Sequence, residues 1–324
     1  NRLGQAEVRG SPDSVAALAD SLTRQVLGIL LEKTGGELPS VNLARVTTRS
    51  RTALRAYLEG ERHFRTGNFE AALASYRRAI RADSTFALAY ARLSNTAGWS
   101  GATGERDPLL RAHELADQLP PRERRLVHAL YDWIQSGDRL AAADTLRRLT
   151  RTYPDDPTVW YNLGEVLWHG QIPGGWREAE DALEKAIELD PEVAAYHHHL
   201  VDLAFSLHRD SALAARRIAA HPGRADRKRL FRISLDLVFG APEARQQALD
   251  RVRTVPIPND WALWTNLRHP LDGQIEDRVL RRLWNRDSLR RRADPGTLLH
   301  LPFALVFNGL EHGRIGRAMT DAKM

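Results

Sequence analysis

His197-His198-His199 is the densest group of potential metal ligands in this chain. Ligands on one helix must lie three or four residues apart to share a face, whereas three neighbours point in three directions around the axis. The spacing therefore predicts one or two rings on an open face and one packed inside, with no metal site. Gly98, Gly101 and Gly104 are spaced like phosphate-binding glycines, but no strand precedes them and no Gly-Lys-Ser/Thr follows. That pattern predicts a flexible connection. Asp155-Asp156 is a pair of adjacent carboxylates just before a helix, where an Asp is expected to cap the helix start rather than do acid–base work. The sequence has no His-Glu-x-x-His and no Gly-x-Ser-x-Gly. No catalytic residue, metal site or cofactor is expected, and the chain reads as a non-enzyme.

Composition narrows the remaining classes. The 324 residues are 43% hydrophobic and 27% charged, which suits a folded chain rather than a disordered one. Cysteine is absent, so there is neither a disulfide framework nor a thiolate metal site, and the compartment stays open. The longest apolar runs, Val26–Leu31 and Leu298–Leu310, fall short of the ~20 residues a membrane-crossing helix needs. The net charge of +6 comes from arginine, with Lys33, Lys185, Lys228 and Lys323 the only lysines. Basic stretches at Arg224–Arg232 and Arg281–Arg292 carry Phe231 and Trp284, and an Arg-rich array that stacks bases is the alternative reading of function. Leu230, Ile233, Leu235 and Leu237 favour an amphipathic helix there instead.

The elements that must position any site are helices, repeated. Ala53, Ala56 and Gly60 recur as Ala87, Tyr90 and Ser94; Leu126, Ala129 and Leu130 recur as Trp160, Leu163 and Gly164. A period of about 34 residues is that of a helix–turn–helix unit. Trp160-x2-Leu163-Gly164-x2-Leu167 reads as the first helix of such a unit, with Gly164 allowing close approach of its partner. Ala179-x3-Leu183-x2-Ala186, closed by Leu189-Asp190-Pro191, reads as the second. An earlier unit at 53–86 carries Gly67-Asn68 as its turn, and Ala142-x3-Leu146-x2-Leu149 is a further second helix. Two connections are enlarged, Gly98–Gly104 and His169–Gly175.

These residues resemble the tetratricopeptide repeat family, over 53–94 and 123–191 most plainly. The resemblance implies an all-α, right-handed TPR-type α-α superhelix, a solenoid whose first helices line a concave channel. It implies a protein-protein interaction scaffold binding a protein or peptide ligand in that groove. Carried over by register, the groove residues are Tyr57, Glu61, Phe64 and Arg65, then Arg92, Asn95 and Trp99, then His128 and Tyr131, then Tyr161, Asn162, Glu165, Trp168 and His169. Rings there supply buried area and Asn side chains bond a peptide backbone. Phe64 and Trp168 are equally suited to sealing the helix pair. Tyr57 and Glu61 stand where the carboxylate-binding pattern of chaperone-docking relatives wants Lys and Asn, so an anionic peptide terminus is not the expected ligand.

The ends complete the expected organisation. Residues 1–32 hold a short strand, then a helix opened by Ser11-Pro12, and look like the C-terminal remnant of a TolB-like domain. Residues 33–52, with Gly35-Gly36 and Pro39, read as a linker; 53–222 is the repeat array, and 223–324 continues it as degenerate helical repeats. This order resembles bacterial multidomain regulators, implying a regulatory or sensory module of a larger protein.

Overall fold

The structure is a computed structural model that describes residues 48–100, 107–170 and 172–252. Twelve α-helices and no strand are found among the described residues, bearing out the all-α expectation. They are α1 (Arg51–Arg65), α2 (Phe69–Ala82), α3 (Ala87–Ser100), α4 (Asp107–Glu114), α5 (Pro121–Tyr131), α6 (Arg139–Thr152), α7 (Pro157–His169), α8 (Gly175–Leu189), α9 (Ala194–Leu203), α10 (Ser211–Ala220), α11 (Ala225–Phe239) and α12 (Pro242–Val252). None of them is long and apolar enough to cross a membrane. The expected N-terminal remnant and most of the linker lie outside the described residues, as does the expected continuation of the array beyond Val252.

Two compact units are present, the first holding α1 to α8 as far as Glu192 and the second beginning at Val193 and holding α9 to α12. In each, consecutive helices pack on one another, α1 on α2 and α7 on α8 in the first and α11 on α12 in the second. Small residues make the tightest crossings. A Cβ built on Gly60 would lie 2.5 Å from the Tyr76 ring, and one on Gly164 would lie 2.6 Å from Leu183 Cγ, so α1 meets α2, and α7 meets α8, through glycine. Around the second crossing Ala142, Leu146, Leu149, Val159, Leu163, Leu167, Ala179 and Ala182 form one buried cluster.

The helix starts follow from their caps. Ser50, Asp138, Asp156 and Asp210 each accept a backbone N–H of the helix they open. Asp156 caps α7 through Thr158 and Val159, as the sequence suggested for the paired carboxylates. α3 runs further than the spacing indicated: Gly98 and Trp99 are helical, and Ser100 is its last residue. The reason is that Trp99 is held against Phe69 and Tyr161, which outweighs the weak helix propensity of Gly98.

Turns inside pairs share one backbone device. Gly67 and Gly137 adopt left-handed φ values of 73° and 74° immediately before the caps Asn68 and Asp138. At the corresponding place before Asp210 stands Arg209, with φ 51°. A side chain is strained there and glycine is not. Arg209→Gly is expected to raise the stability of the second unit by about 0.5–1 kcal/mol, read from urea unfolding; a loss of stability would mean the arginine side chain does more than fill a turn.

Candidate functional site

Helices of the first unit bring several of the expected groove residues together, but onto one another. Tyr57 is buried with its ring 5.0 Å from Phe86 and 5.8 Å from Tyr76. Glu61 accepts from the Tyr76 hydroxyl and from Arg92 Nε, each at 2.5 Å. The Arg92 guanidinium lies 4.1 Å from the centre of the Phe64 ring. Burial raises the Tyr57 hydroxyl well above its ordinary range, with Glu61 adding to the effect. Burial works against the charge of Arg92, but Glu61, Tyr76 and Tyr57 together outweigh it and raise the guanidinium pKa further. Phe64, 2% exposed, therefore seals the first helix pair.

Trp99 stacks on Phe69 at 5.2 Å and donates its indole N–H to the Tyr161 hydroxyl at 2.8 Å. Asn162, beside Tyr161, is buried and donates Nδ2 to the Thr158 carbonyl at 2.7 Å. Its Oδ1 has no hydrogen-bond partner among the described residues, and neither has Oδ1 of half-buried Asn95. Glu165 is buried, with His169 Nε2 3.9 Å from its Oε2. His169 itself is exposed and stacks on Trp133 at 6.1 Å. Trp168 packs against the core cluster of α6 to α8.

His128 and Tyr131 form a separate group. His128 Nδ1 lies 3.0 Å from His113 Nδ1, and the Tyr131 ring stacks on His113 at 3.9 Å. Burial, then the neighbouring His113, lowers the His128 pKa below its ordinary value. His113 was not legible as a site residue, because α4 falls in the stretch where the repeat pattern is weakest. Asp190 was also missed: it reads as part of a helix stop, whereas its carboxylate binds Arg65.

In the second unit the three consecutive histidines depart from expectation. His197, His198 and His199 are all buried, because every residue of α9 from Ala194 to Leu203 is buried. His199 Nδ1 lies 3.0 Å from Asp202 Oδ2, while the His198 ring packs 5.1 Å from Phe231. Phe231 is fully buried and so is not offered to a base; Trp284 lies outside the described residues. His221 joins this cluster. Its Nδ1 accepts the Gly223 N–H at 2.9 Å, which places the proton of the neutral ring on Nε2.

Burial, then the nearby His197, Arg227 and Lys228, lowers the His221 pKa to about 3. The unfolded chain takes up this proton near 6.5 and the folded one does not, so stability is unaffected above that pH and falls as pH drops towards 3. At pH 4.5 the expected loss is on the order of 2 kcal/mol in the second unit. His221→Phe should flatten that pH dependence in chemical denaturation, and an unchanged profile would assign the acid sensitivity elsewhere.

The tetratricopeptide repeat family model matches residues 57–99 and 134–172. The first segment covers most of α1 with α2 and most of α3; the second takes in α6 and α7. No curated protein matches the chain. The described chain is thus an all-α fold in which two segments match tetratricopeptide repeats, a repeat type that generally mediates contacts between proteins and is typically not catalytic.

Proposed function

We propose that this chain is a scaffold that receives an extended polypeptide on the inner helices of its repeat array, within a larger bacterial regulatory or sensory protein. The observation that carries the reading is the pair of Asn side chains. Asn95 on α3 and Asn162 on α7 occupy inner-helix positions, and each keeps a carbonyl oxygen without a partner among the described residues. A buried acceptor left unsatisfied costs about 1–3 kcal/mol, and a backbone N–H of an incoming strand that reaches these oxygens would relieve it. Tyr131, Trp133 and exposed His169 add aromatic surface on α5, on the turn after it and on α7. Rings of this kind give contact area at low entropic cost.

The test is affinity capture from lysate of the source cell, with wild-type chain and an Asn95→Ala/Asn162→Ala variant immobilised side by side. A partner held by the wild type in a salt-tolerant way and released by the variant supports the reading. A partner held equally by both places the interaction on another surface. Fluorescence anisotropy with labelled single-stranded nucleic acid at two salt concentrations provides the competing arm, since phosphate-driven binding weakens steeply with salt.

A further inference from the structure

Stacked helix pairs form a nearly one-dimensional object in which each pair touches its neighbours. Nothing in that rule joins the first pair of the first unit to the last. Arg65, the final residue of α1, and Asp190, which ends α8, do join them. Arg65 Nη1 donates to Asp190 Oδ2 at 2.6 Å and Nη2 to Oδ1 at 3.0 Å, a two-pronged pair spanning 125 residues of sequence. The two side chains are only 20% and 17% exposed, so salt screens them less than an ordinary surface pair.

The C-terminal end of a helix carries partial negative charge and favours cations, as Arg65 illustrates at the end of α1. A carboxylate ending α8 meets that partial charge unfavourably, and the Arg65 guanidinium supplies a compensating cation. A second cross-link lies between α3 and α7, where Trp99 donates to the Tyr161 hydroxyl at 2.8 Å. The indole is itself fixed by stacking on Phe69 of α2. Both cross-links use residues on or beside the expected groove, so the surface assigned to a ligand is engaged by the unit's own side chains.

We infer that Arg65–Asp190 and Trp99–Tyr161 form a clasp that holds the first unit closed, so that a polypeptide is admitted only when the clasp is released. This regulation rests on the scaffold reading above. The ion pair supplies the charged part of the clasp and the indole–phenol bond the part that a ligand ring displaces. A closed state that binds poorly lowers apparent affinity by the fraction of molecules that are open.

Because the sequence has no cysteine, the full chain accepts a single labelled pair. Arg62→Cys and Glu188→Cys, both exposed and near the ends of α1 and α8, would carry spin labels for pulsed dipolar distance measurement. With the clasp intact the distance distribution is expected to be single and narrow. Asp190→Asn should broaden it and lengthen its mean, and Trp99→Phe, which deletes only the donor and part of the ring, should broaden it less. The exchange Arg65→Asp/Asp190→Arg should restore the narrow distribution, separating the clasp from a folding defect.

A distribution left unchanged by Asp190→Asn in a variant with native circular dichroism overturns the proposal, as does failure of the charge exchange to restore it. These distances need no partner, so their outcome is independent of the capture experiment. The captured partner should bind Asp190→Asn severalfold more tightly than wild type, and equal affinity would remove the gating role.

Discussion

Gly164→Leu is expected to destabilise the first unit by about 3 kcal/mol, enough to expose α7 and α8 to rapid hydrogen exchange. The position has no room: a single Cβ there lies 2.6 Å from Leu183 Cγ, 2.8 Å from Leu183 Cδ2 and 3.3 Å from the Ala179 carbonyl oxygen. Leu183 is fully buried and cannot swing aside, because Val166, Leu167 and Ala179 are buried around the same crossing. Two opposing effects decide the smaller change Gly164→Ala. Alanine gains about 1 kcal/mol of helix propensity over glycine, but overpacking costs about 1–3 kcal/mol, so a net loss is expected. Gly98→Ala is the control. It is also a helical glycine, a Cβ added there would meet nothing within 4 Å, and the propensity gain should stand alone. If both alanine variants were stabilised equally, the close approach of α7 and α8 would not be what glycine serves.

How much of this was legible in the sequence depended on how local the cause was. Gly164 facing Leu183, and Asp156 capping α7, follow from spacing and residue type within one helix pair, and the structure shows both. The turn read at Gly67, which the structure shows at φ 73°, is of the same kind. Burial around a whole helix is not local. His197 to His199 read as partly open because a helical wheel assumes one buried face, and α9 is buried all round. Long-range pairing was hidden altogether. Neither Arg65 nor Asp190 shows in its own segment that it binds the other 125 residues away. The groove lay between these cases: register placed Tyr57, Phe64, Trp99 and Asn162 on inner helices, but could not show that Arg92 would cover Phe64 or that Tyr161 would take the Trp99 N–H. Contacts between side chains of different helix pairs follow only from how those pairs pack.

The second large effect is expected from Glu61. Its carboxylate is the acceptor for both Arg92 and Tyr76, within a site where the Glu61 and Arg92 side chains are 13% and 19% exposed. Glu61→Leu leaves the guanidinium against the Phe64 and Tyr76 rings without its counter-charge and the phenol without its acceptor. Stranding one member of a largely buried pair costs about 3–5 kcal/mol, and the residual exposure here argues for the lower end, about 3 kcal/mol. The same physics predicts a rescue. Glu61→Leu/Arg92→Met/Tyr76→Phe removes the charge, the counter-charge and the orphaned hydroxyl together, and apolar replacements of similar volume often recover most of the loss. Urea unfolding of the single, double and triple variants should therefore show strong coupling, with Glu61→Leu the least stable member of the series and the triple variant near wild type. Additive losses across the three sites would mean that the network is a set of independent contacts. In that case Arg92 would hold its place over Phe64 by the ring's attraction alone, and Glu61 would be free to serve an incoming ligand instead of the fold.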